Sequence, residues 1–223
     1  MLEQVDVLDH GYVRLVDVMG DDLSIVRSAR VSYDADWRDG DDKKDERLIA
    51  YLMKNRHTSP FEAVTFTFEV KAPIFVFRQW HRHRTWSYNE ISARYAKLPS
   101  DYYVPEIEQI TTQSSDNKQM RTDVICDAAT SIQQLIRDTS EHAHRIYKVL
   151  MDSECPRELA RSVLPVNTYS RMFATVDLHN LFHFLRLRLH EHAQYEIRVY
   201  AEAMLQLIEP NCPVAVREFK KTL

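Results

Sequence analysis

The spacing of apolar side chains changes period several times along the chain, and each change marks an element. From Tyr12 to Met19, Val13, Leu15 and Asp17 alternate against Arg14, Val16 and Val18, the period of a short strand. Asp21 and Asp22 are suited to cap a helix over Leu23 to Tyr33, with Leu23, Val26, Arg27 and Arg30 at helical spacing. Residues 34–46, DADWRDGDDKKDE, are too charged for a core and read as a surface loop leading into a helix. That helix runs from Arg47 to Asn55 and stops before His57-Thr58-Ser59-Pro60, because proline disfavours helix in the residue preceding it. Val64 to Val70 alternates again as a half-buried strand, and Pro73 opens a helix over Ile74 to His81 that carries Gln79.

Past Tyr95 the chain reads as an irregular connection with Pro99 and Pro105, then a polar span to Gln119. From Val124 onward, Val124, Ala128, Ile132, Leu135, Ala143, Ile146 and Leu150 predict one face of a long helix. Pro156 starts another helix, which carries Arg161 and ends before Pro165. Val166 to Val176 is a strand with Asn167, Tyr169, Arg171 and Phe173 on one face. Asp177 caps a predicted helix from Leu178 to His192, on which Arg188 and His192 share a face, and Tyr195 to Ile208 forms the next. The pattern predicts an α+β fold: a single domain, residues 1–223, with a small antiparallel sheet packed against several helices, including one long helix. No repeat or linker divides it.

Composition narrows the function. The 223 residues suffice for a sizeable core, and a net charge of -4 argues against broad electrostatic binding of nucleic acid. Three cysteines without CxxC spacing indicate neither a disulfide framework nor a thiolate metal cage, and Cys126 and Cys155 read as helical packing residues. A soluble, cytoplasmic protein is expected, since no basic start precedes an apolar run and no stretch reaches the roughly 18 apolar residues of a membrane helix. Only Gly11, Gly20 and Gly40 are glycines, so there is neither a G-x-G-x-x-G turn nor a P-loop. A bound dinucleotide must be held by Arg, His and hydroxyl side chains instead.

Those side chains concentrate in Arg82 to Tyr95, RHRTWSYNEISARY, where Arg and His groups suited to phosphates and heteroatoms sit among Trp86, Tyr88 and Tyr95. A second polar concentration spans His179 to His192. His179 and His183 have the i, i+4 spacing of a metal pair, but Asn180 stands where a zinc-protease helix has its Glu. Ser87 and Ser92 lack the Gly-x-Ser-x-Gly turn of a nucleophile and suit phosphate hydrogen bonding. From the residues alone the local chemistry is that of a nucleotide or cofactor site, with a non-catalytic nucleotide- or RNA-binding module and a metal-dependent hydrolase as competing readings.

The spacing of Arg82-His83-Arg84, Ser87, Asn89-Glu90 and Ser92 matches the RHRxxSxNExS signature of the flavin-dependent thymidylate synthases, a family the chain resembles from about residue 5 to 215. VDVMG, SARVS, TSPFE, KAPIFVFRQW, PRELARSVLP and LRLRLHEHAQYEI carry the likeness further. The resemblance implies conversion of dUMP to dTMP with methylenetetrahydrofolate as one-carbon donor and FAD, reduced by NADPH, as hydride source. It also implies a homotetramer of α+β subunits with shared active sites, acting on small molecules and not on nucleic acid or membranes. By position, Ser59, Arg82, His83, Arg84, Glu90, Asp177, His179 and His183 are expected to contact the flavin. Gln79, Arg82, Glu90, Ser92, Ala93, Arg94, Arg161 and Arg188 are expected to contact dUMP, with Arg188 the catalytic residue. Asp177, His179 and His183 stand where relatives often have Asn, Arg or Lys, and Asn. The alternative for Arg188 is a surface ion pair with Glu191 or Glu196.

Overall fold

Alternating strands dictate a sheet with one dry face, and the structure, a computed structural model describing residues 3–32 and 41–223, has one. Its elements are β1 (Gln4–Val7), β2 (Gly11–Met19), α1 (Asp22–Val31), α2 (Asp42–Lys54), β3 (Thr65–Pro73), α3 (Ile74–Trp80), β4 (Ser87–Glu90), β5 (Thr111–Gln113), β6 (Arg121–Ile125), α4 (Ala129–Asp152), α5 (Arg157–Ala160), β7 (Tyr169–Asp177), α6 (Leu178–Arg188), α7 (Tyr195–Ile208) and α8 (Pro213–Lys220). A five-stranded antiparallel sheet has the order β1-β2-β3-β7-β4, and β5 and β6 form a separate hairpin. The predicted α+β architecture with one long helix is the one observed. Tyr33 and the first residues of the charged segment lie outside the described residues.

Register carries the apolar rows across the sheet. Leu15 faces Phe68, which faces Ala174, while Val13, Val70 and Met172 form the next row. A bulge between Leu15 and Asp17 shifts β2 so that Val18, opposite Phe66, also packs on the core. Against this face lie Leu181, Phe184 and Leu185 of α6 and Ile197, Tyr200 and Met204 of α7, all buried. Each such side chain contributes about 1.5–3 kcal/mol by leaving water. On the opposite face Thr67 and Thr175 pair at 3.0 Å, and buried Glu69 accepts from Arg14 at 2.7 Å and Tyr12 at 3.1 Å. Gly11 is required where β2 meets α7, because a Cβ there would lie 2.0 Å from the Tyr200 hydroxyl.

Several sequence expectations are corrected: α2 begins at Asp42, inside the charged segment, and not at Arg47, and β7 begins at Tyr169 and not at Val166. The long helix begins at Ala129, and Val124 belongs to β6 with 64 % of its surface exposed. Its buried side is centred on Ala129, Ser140 and Tyr147, leaving Leu135 exposed. The helix bearing Arg188 ends there and does not reach His192: the His192 N–H donates to His190 Nδ1 at 3.1 Å, a local bond that competes with helix, and residues 189–194 turn into α7. Cys126 and Cys155 lie in connections flanking α4, outside the helix.

Candidate active site

The stretch that follows α3 is pinned by its aromatic residues. Trp80 and Trp86 are buried and meet edge to face at 5.9 Å, and Trp80 stacks on Phe184 of α6 at 4.9 Å. The Tyr88 hydroxyl closes the loop by donating to the carbonyls of His83 at 2.8 Å and Trp80 at 3.1 Å. Between these anchors the side chains alternate: Arg82 and Arg84 are exposed, while His83 is buried with its ring 4.9 Å from that of Phe184. The residues after the loop continue as β4, the edge strand, with Asn89 opposite Phe173 of β7. There Glu90 accepts a 2.6 Å bond from Ser170.

His83 and Arg188 are 105 positions apart and in direct contact. Arg188 Nε donates to His83 Nε2 at 3.1 Å, and Arg188 Nη2 donates to the Gln79 carbonyl at 3.3 Å. An imidazole nitrogen that accepts must be unprotonated, so the His83 proton sits on Nδ1. Burial, then the positive Arg188, then His183 push His83 from the ordinary 6.5 down to about 4, which keeps it a neutral acceptor. Burial also draws Arg188 down from its ordinary value, although a guanidinium remains cationic. Two of its five N–H groups are fixed to the protein and three are left for a ligand. The surface ion pair with Glu191 or Glu196 is not formed: Glu191 lies 3.5 Å from His192, and Glu196 is buried and bound to Arg121 of β6 at 2.6 Å.

The other expected residues fall into two further groups. Ser59 begins a 3₁₀ turn, Ser59–Ala63, whose preceding residue Thr58 lines a cavity of about 260 Å³ with Arg56, His179 and His183. His183 links this cavity to the first group, its ring centroid 6.0 Å from that of His83. Asp177 caps α6, accepting from the Asn180 backbone at 2.9 Å and the Asn180 side chain at 2.6 Å, so its carboxylate is committed to the helix end. The last group surrounds Glu158. Arg94 approaches it at 3.7 Å, Arg161 Nε donates to its carbonyl at 3.3 Å, and Ser92 Oγ accepts from the Arg94 backbone at 3.3 Å. Ala93 is buried beside them. Among the described residues, no hydrogen bond or ion pair joins this group to Arg188. Nor does any cluster of three or more His, Cys, Asp or Glu form there that could hold a metal ion.

The sequence reading missed Gln194, Glu196, Arg121 and Tyr103. Gln79 Nε2 donates to Gln194 Oε1 at 2.5 Å, and Gln194 Nε2 donates to Glu196 at 2.7 Å. The signal available in the sequence was the polar run Gln194-Tyr195-Glu196 at a helix start, where Glu196 occupies a buried position.

A family model described as "Thymidylate synthase complementing protein" matches residues 14–214. The flavin-dependent thymidylate synthase of Treponema denticola is 48 % identical over 99 % of this chain and 83 % of that protein. The enzyme of the same name from Thermus thermophilus is 48 % identical over 98 % of this chain and 79 % of its own length. Among solved structures, a UMP/dUMP methylase, PolB from Streptomyces cacaoi, bound with 5-Br dUMP, superimposes with a TM-score of 0.88 at 37 % identity, covering 97 % of each chain. Family model, relatives matched over nearly the whole of this chain and superposition agree with the signature at Arg82 to Ser92: the chain belongs to the flavin-dependent thymidylate synthases.

Proposed function

We propose that this protein reductively methylates dUMP to dTMP, with methylenetetrahydrofolate as one-carbon donor and FAD, reduced by NADPH, as redox cofactor. The observation that carries the reading is the Arg188 guanidinium, anchored by a neutral histidine and a carbonyl with three N–H groups to spare. Flavin chemistry fits the surroundings. Arg82 and Arg84 are exposed and their side chains make no hydrogen bond or ion pair among the described residues, so both are free to grip a phosphate. His179 and His183 offer hydrogen-bonding groups in the cavity that Thr58, the residue before Ser59, also lines, Asp177 contributes by ending α6, and Glu90 stands at the sheet edge. When bound, FAD supplies the hydride that completes the methyl group.

The protein's own task is to bind and polarise the pyrimidine. Arg94, Arg161 and Ser92 suit the nucleotide phosphate. The Arg94 and Glu158 side chains are 55 % and 65 % exposed, and such a pair is worth about 0–1 kcal/mol, so exchanging it for a bidentate phosphate contact costs little. Gln79, whose carbonyl anchors Arg188, and Ala93, beside Arg94, are the remaining nucleotide contacts in this reading. For C5 of uracil to attack a one-carbon unit, negative charge must develop toward N3 and its flanking carbonyls, and the fixed Arg188 fork stabilises that charge as it forms. His83 holds Arg188 in place through its unprotonated Nε2.

Homotetramer assembly is part of this reading. Support comes from the Arg94 group and Arg188 having no bond to one another within the chain, and from α4, where Leu135 and Val149 are 65 % and 58 % exposed. A synthase-active monomer on sizing with light scattering would contradict it. The function is tested by spectroscopy: FAD-loaded protein should be yellow, bleach under NADPH, and recover its colour on adding dUMP and methylenetetrahydrofolate. Failure to bind FAD would refute the proposal.

A further inference from the structure

An amide side chain can face a ligand with either its oxygen or its nitrogen, and the choice is set by whatever holds its other end. Gln79 is held through Nε2, which donates to Gln194 Oε1 at 2.5 Å. Gln194 in turn donates through its own Nε2 to Glu196 Oε2 at 2.7 Å. The chain of bonds ends on a carboxylate, which only accepts. Glu196 is 3 % exposed and receives Arg121 Nη2 at 2.7 and 2.6 Å and the Tyr103 hydroxyl at 3.2 Å. Arg121 is itself tethered by donating from Nη1 to the Gln109 carbonyl at 2.7 Å. Flipping Gln194 would set its oxygen against the Glu196 oxygen and its nitrogen against the Gln79 nitrogen, losing both bonds at once. The polarity of the series therefore runs one way, from the β5–β6 hairpin to α3.

We propose that Gln194, Glu196 and Arg121 form a positioning relay that locks the Gln79 amide with its oxygen presented to the nucleotide, as acceptor for an N–H or O–H of dUMP. The inference rests on the reading of Gln79 as a dUMP contact. The Gln79 Oε1 has no hydrogen-bond partner among the described residues. The relay also gives the small hairpin a function: it carries the cation that keeps Glu196 buried and fixed.

The test is a double-mutant cycle on the full-length, FAD-loaded protein, using Gln79→Ala, Gln194→Ala and the double variant. Dissociation of dUMP is measured by calorimetry, and kcat and KM by dTMP formation. Gln194 is exposed, so its truncation should leave folding intact. If it does not, Gln194→Met removes the bonds while keeping the bulk. Each single variant should weaken dUMP binding roughly tenfold, and the double variant no more than Gln79→Ala alone, as residues acting in series require. KM should rise while kcat changes little. Independent, additive losses would overturn the relay, as would unchanged dUMP affinity in Gln194→Ala beside a weakened Gln79→Ala. If Gln79→Ala itself binds dUMP normally, the nucleotide contact falls and the relay with it.

Discussion

Replacing Arg188 by lysine keeps its charge and removes its fork, and so separates electrostatics from geometry. In the proposed reading the guanidinium has two jobs: Nε and Nη2 are spent on His83 and the Gln79 carbonyl, and the remaining N–H groups are the ones to meet substrate. A lysine ammonium is a single point with three donors on a flexible stem. If it bonds His83 it does not reach forward, and if it reaches forward it leaves a buried imidazole nitrogen unpaired, at about 1–3 kcal/mol. Loss of one preorganised donor to developing charge costs about 100–1000-fold in turnover. An exposed ion pair along a helix is worth about 0.3–0.5 kcal/mol, less than threefold. We therefore expect Arg188→Lys to fold, bind FAD and lose about 100-fold or more of kcat at saturating dUMP, with Arg188→Ala at least as impaired. The assay is dTMP formation under saturating methylenetetrahydrofolate and NADPH. A kcat within about threefold of wild type, with only dUMP KM raised, would refute the argument and make Arg188 a binding residue.

Other outcomes follow from the same geometry. Arg82→Ala and Arg84→Ala should each weaken FAD about 10- to 100-fold, since each removes a charge-assisted bond of about 1.5–3 kcal/mol; unchanged flavin affinity in both would remove them from the cofactor site. Gly11→Ala should cost about 1–3 kcal/mol by forcing Tyr200 off the Lys71 carbonyl, which its hydroxyl meets at 2.8 Å, and an unaltered thermal midpoint would contradict that contact. Stability should also depend on His83. Its folded value is about 4 against an ordinary 6.5, so the unfolded chain binds more protons between these values, and the stabilisation present above 6.5 is lost as pH falls toward 4. Urea unfolding should accordingly show a steeper loss between about pH 7 and pH 4.5 in wild type than in His83→Leu, and parallel curves would contradict a neutral buried His83.

Most of the scaffold was legible because it obeys a period. The strand around Phe66 and Phe68 and the helix Tyr195–Ile208 bury one face each, and solvation alone writes that pattern. The helix ahead of Ala129 was misplaced because Val124 continues the helical spacing by coincidence while lying in an exposed hairpin strand. The end of α6 was misplaced because Leu189 and the histidines after it carry no glycine or proline stop, and the bond from His192 N–H to His190 forms only in the folded turn. In the candidate site, the fourteen residues from Arg82 to Tyr95 stood out by composition. What sequence did not reveal is who holds whom. His83 and Arg188 belong to different elements brought together by the packing of Trp80 on Phe184, and Gln194 reaches Gln79 across 115 positions.

The central claim is tested most directly by a single-turnover experiment. Protein loaded with FAD and reduced anaerobically is mixed with dUMP and methylenetetrahydrofolate, and nucleotide and flavin are followed together. dTMP should form in step with flavin reoxidation, one for each reduced flavin, and neither should occur when dUMP is omitted. Flavin that stays reduced while dUMP is recovered unchanged, in protein shown to bind both, would contradict it.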